Sequence, residues 1–229
     1  MSYNEVRSIA PCANLVPRET DGSPSVSSSH PIKEIYFAKN KVAAIEGLEG
    51  LVNVEILELG HNRIRKLENL DHFIKLRELW LGRNRIEVIE GLAGLIALER
   101  LSLQANRLTN MMGVATLSDT IQELYLSANG ITKIEGLERL HRLRVLDLAD
   151  NKLQDITGLD HLTGLEDLWL NNNTITQPLD DIALQLAGSK EKLVTLYLEN
   201  NPCTQEEGYV PRMFALCPNL LPLDSSHYK

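Results

Sequence analysis

An α/β solenoid is the fold this sequence predicts: a curved, right-handed arc with a parallel β-sheet on its concave face, mostly short 3-10 helices on its convex face and a C-terminal helical cap. Three observations predict it. From Ile32 onward the chain repeats the pattern L-x-x-L-x-L-x-x-N-x-I, as in Val54-Glu-Ile-Leu-Glu-Leu-Gly-His-Asn-Arg-Ile64 and Leu76-Arg-Glu-Leu-Trp-Leu-Gly-Arg-Asn-Arg-Ile86. The asparagines of the pattern are Asn40, Asn62, Asn84, Asn106, Asn129, Asn151, Asn173 and Asn201, spaced by 22, 22, 22, 23, 22, 22 and 28 residues. Behind each asparagine comes a second apolar set, such as Ile45, Leu48 and Leu51 or Ile89, Leu92 and Leu95, often written I-E-G-L.

The period and both apolar sets match the leucine-rich repeat. One such unit cannot bury its own apolar stripe, but stacked units share a continuous core. A coil of about 22 residues leaves little room for a full return helix, so 3-10 segments are expected outside. The asparagine sits where the chain leaves the strand, and its amide can donate to and accept from backbone groups otherwise buried unpaired. The register slips twice. Ser118-Asp119-Thr120 adds one residue, and the seventh unit adds six, where Leu179, Ile182, Ala183 and Leu186 have helical spacing.

The ends differ from the middle. Residues 1–30 include the Ser- and Pro-rich run GSPSVSSSH and read as a polar, poorly ordered segment. Residues 31–201 hold the eight repeats. Residues 202–229 read as the C-terminal cap, with a short helix bearing Tyr209, Met213, Phe214 and Leu216 over the open end of the core.

Composition excludes several functions. The chain has 229 residues, 31 acidic against 23 basic, and a net charge of −8, which argues against nucleic acid or an anionic membrane as the main partner. Cys12, Cys203 and Cys217 show no C-x-x-C spacing and no even pairing, which fits a reducing compartment. No signal-peptide pattern or long apolar run occurs, so an intracellular protein is expected. The motifs G-x-x-x-x-G-K, G-x-S-x-G and H-E-x-x-H are missing, and the six histidines lack metal-ligand spacing. The expectation is a protein that is no enzyme and carries no cofactor.

Function is then left to the concave face. In a strand successive side chains alternate, so with the fourth and sixth positions buried the third and fifth, and with them the seventh and eighth, face the concave side. The fifth positions are Tyr36, Glu58, Trp80, Ser102, Tyr125, Asp147, Trp169 and Tyr197. Five of these eight are aromatic, in a chain with two tryptophans, six tyrosines and three phenylalanines, and both tryptophans fall in this column. Concave carboxylates are Glu34, Glu58, Glu78, Glu123, Asp147, Asp150, Asp167 and Glu199, against Lys39, Arg83 and Arg100. Aromatic anchors in an acidic surround predict a protein interface for a basic partner. The competing reading is that neighbouring concave residues pack on one another and shield the rings.

The units with N-x-I-x-x-I-E-G-L, the run Leu124-Tyr-Leu-Ser-Ala-Asn-Gly-Ile-Thr-Lys-Ile-Glu-Gly-Leu137 and the ending Leu196-Tyr-Leu-Glu-Asn-Asn-Pro202 closely resemble the leucine-rich-repeat regulatory subunit of protein phosphatase-1, the regulatory subunit 7 family, over residues 32–224. The resemblance implies a non-catalytic subunit that docks on the phosphatase catalytic subunit, with a further phosphatase inhibitor protein as a possible third component, in nucleus and cytoplasm, and is a monomer on its own. It implies protein-binding roles for Tyr36, Glu58, Trp80, Tyr125, Asp147, Asp167, Trp169 and Tyr197. Tyr36 and Trp80 stand where that family has phenylalanines, and Asp167 stands where it has a glutamate. Scaffolds of other assemblies, axonemal dynein light-chain-like or splicing-associated, share the general repeat.

Overall fold

The computed structural model describes residues 6–9, 32–117, 119–225 and 227–228. Each repeat contributes one three-residue strand: β1 Glu34–Tyr36, β2 Ile56–Glu58, β3 Glu78–Trp80, β4 Arg100–Ser102, β5 Glu123–Tyr125, β6 Val145–Asp147, β7 Asp167–Trp169 and β8 Thr195–Tyr197. They pair in parallel and in sequence order, so Tyr36, Glu58, Trp80, Ser102, Tyr125, Asp147, Trp169 and Tyr197 stand in one row. The middle residue of every strand, from Ile35 through Leu79 to Leu196, points into the core and is buried.

The asparagines hold the coils in register. Asn84 donates from Nδ2 to the carbonyls of Leu59 and Leu81, and its Oδ1 accepts the N–H of Ile64. Asn151 and Asn173 repeat that pattern. Each amide therefore ties its own coil to the preceding one through groups with no strand partner. The residue before each asparagine, Lys39, His61, Arg83, Ala105, Ala128, Asp150, Asn172 or Asn200, has a φ between 52° and 61°. A left-handed residue turns the chain sharply out of the strand, at a cost of about 1–2 kcal/mol for a side chain bearing Cβ.

The convex side departs from the expected run of 3-10 helices. Helices of that kind form at Met112–Thr116 and Pro202–Gln205, and in other coils single i→i−3 bonds close isolated turns, such as Phe73 N–H to Leu70 O and Leu95 N–H to Leu92 O. One turn is what a 22-residue coil can fit between its two apolar sets. The six added residues of the seventh unit do form a helix, α1 Leu179–Leu186, which buries Leu179, Ile182 and Leu186. Ser118, in the stretch that lengthens the fourth unit by one residue, lies outside the described residues.

Both ends are covered. The cap helix α2, Tyr209–Leu216, buries Tyr209 and Met213, with Phe214 and Leu216 half-buried against the core. Beyond it β9, Pro222–Leu223, adds a parallel ninth strand to β8, and β10, His227–Tyr228, pairs antiparallel with β9. Asp224 closes the ladder: its Oδ1 accepts the N–H groups of Leu198 and Glu199, and its Oδ2 accepts the Tyr209 hydroxyl. A side chain thus takes backbone donors that a further strand would otherwise satisfy. At the N-terminal end most of residues 1–30, read above as poorly ordered, lies outside the described residues. Residues 6–9 lie against the first coil. Val6 N–H donates to Asn40 Oδ1 and Lys41 N–H to Val6 O, as Val42 N–H does to Asn62 Oδ1 and Arg63 N–H to Val42 O, and Ile9 is buried like Ile45.

Candidate functional site: the concave face

The sheet sets the fifth-position side chains on one face at the strand spacing of about 4.7–4.9 Å. Over that spacing the rings do not stand apart. Trp80 and Tyr125 stack with centroids 6.1 Å apart although Ser102 lies between their strands. Tyr125 and Trp169, on either side of Asp147, are 6.3 Å apart, and Trp169 and Tyr197 are 6.4 Å apart. Two strands should separate the first two pairs by about 9.5 Å, so these rings lean inward over the shorter residue between them. The result is a continuous strip of four half-buried rings, Trp80, Tyr125, Trp169 and Tyr197. The rings do shield one another in part, and their outer faces remain open. Tyr36 stands apart from the strip and is 62% exposed.

A second rule organises the polar atoms. Residues two apart on a strand share a face, and the third-position glutamate accepts from the fifth-position ring: Tyr36 Oη to Glu34 at 2.9 Å, Trp80 Nε1 to Glu78 at 3.1 Å, Tyr125 Oη to Glu123 at 2.8 Å. Burial, then the Glu123 carboxylate, holds the Tyr125 phenol well above the usual tyrosine range. The rule fails at Trp169. Asp167 is one methylene shorter than glutamate, and Trp169 Nε1 is buried without a hydrogen-bond partner among the described residues.

The expected acidic field is redistributed. Arg100 bridges two strands, with Nη1 2.5 Å from Glu78 Oε1 and Nε 3.0 Å from Glu123 Oε1, and so neutralises part of the face. Asp147 is only 2% exposed. Its Oδ2 accepts from Gln104 Nε2 at 3.0 Å and Ser127 Oγ at 2.6 Å, and its Oδ1 accepts the Ala149 N–H at 3.1 Å. A carboxylate so enclosed braces the scaffold, in contrast to the exposed binding residue expected from the sequence. Asp167 is half-exposed, and Arg144, which is paired with Glu166, lies near enough to feel its charge.

Glu58 borders a groove of about 390 Å³ over coils two to five, walled by Trp80, Ser102 and Gln104. The groove exists because Gly60 and Gly82 bring no side chain to the seventh position. A Cβ on Gly60 would lie 2.6 Å from Glu58 Oε1. Burial raises the Glu58 carboxyl above its usual pKa, and the Gly60 N–H, donating at 2.7 Å, partly offsets that. Sequence reasoning missed Arg100 as a bridge, and Gln104 and Ser127 as donors to Asp147; their outward position was readable, their partners were not. Among the described residues no His, Cys, Asp or Glu cluster could hold a metal ion, and no helix is long and apolar enough to cross a membrane.

Comparisons with known proteins agree with this geometry. A family model described as leucine rich repeats, two copies, matches residues 119–161 and 141–185. A stretch of 41 residues is 49% identical to the Arabidopsis thaliana protein named protein phosphatase 1 regulatory inhibitor subunit PPP1R7 homolog; it covers 18% of this chain and 12% of that protein. Among solved structures, a leucine-rich-repeat protein of Leptospira interrogans is 26% identical with a TM-score of 0.78, over 98% of this chain and 53% of its own. Internalin C2 of Listeria monocytogenes is 26% identical with a TM-score of 0.76, over 94% and 91%. The chain thus spans about half of the Leptospira protein and a small part of the Arabidopsis one. By its repeats, its asparagine ladder and these matches, the chain has the leucine-rich-repeat solenoid fold.

Proposed function

We propose that the chain is a non-catalytic regulatory subunit that binds the protein phosphatase-1 catalytic subunit through its acidic and aromatic concave face and controls that enzyme's activity, maturation or location. The reading rests above all on the ring strip, since the core has no use for Trp80, Tyr125, Trp169 and Tyr197 on the sheet's open side. The short likeness to a phosphatase regulatory subunit homolog supports the same partner. In this reading the strip supplies apolar contact, while Glu58 and Asp167 attract a basic surface and Tyr36 extends the contact to the first coil. Asp147 takes part by holding Gln104 and Ser127 in place at the groove beside the rings. The same reading places the protein in nucleus and cytoplasm and makes it a monomer when alone.

The test is a titration of purified catalytic subunit onto the wild type and onto Trp80→Ala and Trp169→Ala. A buried aromatic anchor is worth about 2 kcal/mol, so each variant should lose roughly thirtyfold in Kd. Circular dichroism must show each variant folded. Undiminished binding by both would sink the interface; pull-down of ciliary or splicing components with no phosphatase would favour another assembly.

A further inference from the structure

The chain carries a net charge of −8, yet one edge of the solenoid is basic. Each turn out of a strand presents two side chains to either side of its asparagine. The residue before the asparagine is Lys39, His61 and Arg83 in coils one to three, and the residue after it is Lys41, Arg63, Arg85 and Arg107 in coils one to four. Asparagine bonds such as Val42 N–H to Asn62 Oδ1 and Ile64 N–H to Asn84 Oδ1 fix these turns in register. The row therefore advances one strand spacing, about 4.8 Å, per coil. In coils five to eight the position after the asparagine is Gly130, Lys152, Thr174 and Pro202, so the unbroken row ends at coil four.

Most of these charges are open to a partner. Lys39, Arg63, Arg83 and Arg107 are exposed and Arg85 is half-buried. Among the described residues Lys39, Arg63, Arg83 and Arg85 have no carboxylate at ion-pair distance, and Arg107 reaches Glu87 loosely at 3.8 Å. Desolvation, followed by repulsion from Arg83 and Lys39, holds the His61 pKa below its ordinary value, so the imidazole lies close to both cations.

We propose that this basic rim docks a short acidic segment of a partner protein, lying extended across coils one to four. The three intervals from Lys41 to Arg107 span about 14 Å, the reach of four to five extended residues. The guanidinium groups of Arg63, Arg85 and Arg107 match carboxylates bidentately. A nucleic acid fits less well, because a long polyanion would overlie the carboxylates of the adjoining concave face, whereas a short segment stays on the rim. His61 and Arg83 edge the groove they share with Trp80, whereas Arg63, Arg85 and Arg107, on the far side of the asparagines, do not line it; docking on them does not depend on the identity of the partner at the ring strip.

The experiment uses the full chain and a dye-labelled octapeptide with glutamate at alternate positions, followed by fluorescence anisotropy at low ionic strength, with a lysine-for-glutamate peptide and a single-stranded RNA as parallel probes. The glutamate peptide should bind saturably, weaken as salt rises, and shift the His61 imidazole signals in NMR spectra. Arg63→Glu with Arg85→Glu should weaken it by about tenfold or more, and Arg139→Glu, an exposed convex substitution outside the rim, should not. All these residues are exposed or half-buried on turns, so folded variants are expected and thermal melts check them. Absence of saturable binding, equal binding by the doubly reversed variant, or preference for RNA over the peptide would each overturn the proposal.

Discussion

Asp147 offers the sharpest test of the structure, because its place in the outward column and its burial point to different roles. Asp147→Ala removes the acceptor of three donors at once. The Ala149 N–H is buried on the strand-exit turn and cannot rotate to water, so its loss costs about 1–3 kcal/mol. The Gln104 amide and Ser127 hydroxyl border the groove and can turn toward solvent, which limits each to about 0.5–1.5 kcal/mol. The sum is about 2–6 kcal/mol, and with about 2–4 °C lost per kcal/mol in a chain of this size, Tm should fall by roughly 4–24 °C. Asp147→Asn keeps an oxygen for Ala149 but turns an amide toward two donors; about 1–2 kcal/mol is expected, since Ser127 can accept in exchange. The assay pairs thermal melts by circular dichroism with titration of the phosphatase catalytic subunit below the melting range. Asp147→Asn should melt earlier and bind within about threefold of wild type, less than 1 kcal/mol. An unchanged Tm together with lost binding would refute the reasoning and make Asp147 a direct contact.

Other expectations follow from neighbouring residues. The folded-state pKa of Glu58 lies above its unfolded value, so this group favours the fold when protonated and loses that contribution as pH rises through the folded pKa. Glu58→Gln should therefore raise Tm at neutral pH, with the gain disappearing below the carboxyl range; a gain that grows on acidification would contradict the sign. Asp224→Ala strips the acceptor from Leu198 N–H, Glu199 N–H and the Tyr209 hydroxyl, and about 3–5 kcal/mol should be lost. Hydrogen exchange should show the Leu198 and Glu199 amides opening first, and retained protection would count against the cap. Arg100→Met frees Glu78 and Glu123 and should tighten a basic partner by about 0.5–1 kcal/mol with a steeper salt dependence, whereas unchanged affinity would place those carboxylates outside the contact. Burial pushes the Cys203 and Cys217 thiols up to about 11, so both should resist alkylation at pH 8 until the chain unfolds, as thiol titration with and without denaturant would reveal.

Much of the fold is legible in the sequence because a repeat states its own geometry. The spacing of Asn62, Asn84 and Asn106 gives the coil length, and alternation about Leu57, Leu79 and Leu101 gives the outward column that the strands reproduce. The helix at Leu179–Leu186 was readable from apolar spacing within an oversized unit. The half-coil at residues 6–9 was not, although Asn4-Glu-Val6-Arg-Ser-Ile9 echoes Asn40-Lys-Val42-Ala-Ala-Ile45. Its distance of 36 residues from Asn40 breaks the period, and docking rather than spacing reveals it.

What the sequence by itself determined is which side of the sheet each residue occupies, since backbone alternation is local and holds wherever a strand forms. What tertiary structure decided is which outward residues remain open. Trp80 and Tyr125 meet over Ser102, Arg100 reaches both Glu78 and Glu123, and Asp147 sinks beneath the rings. Each of these contacts joins side chains from different coils, and residue size, reach and register on neighbouring strands settle it together. The pattern within one repeat carries no information about that; the stacking of one repeat on the next does.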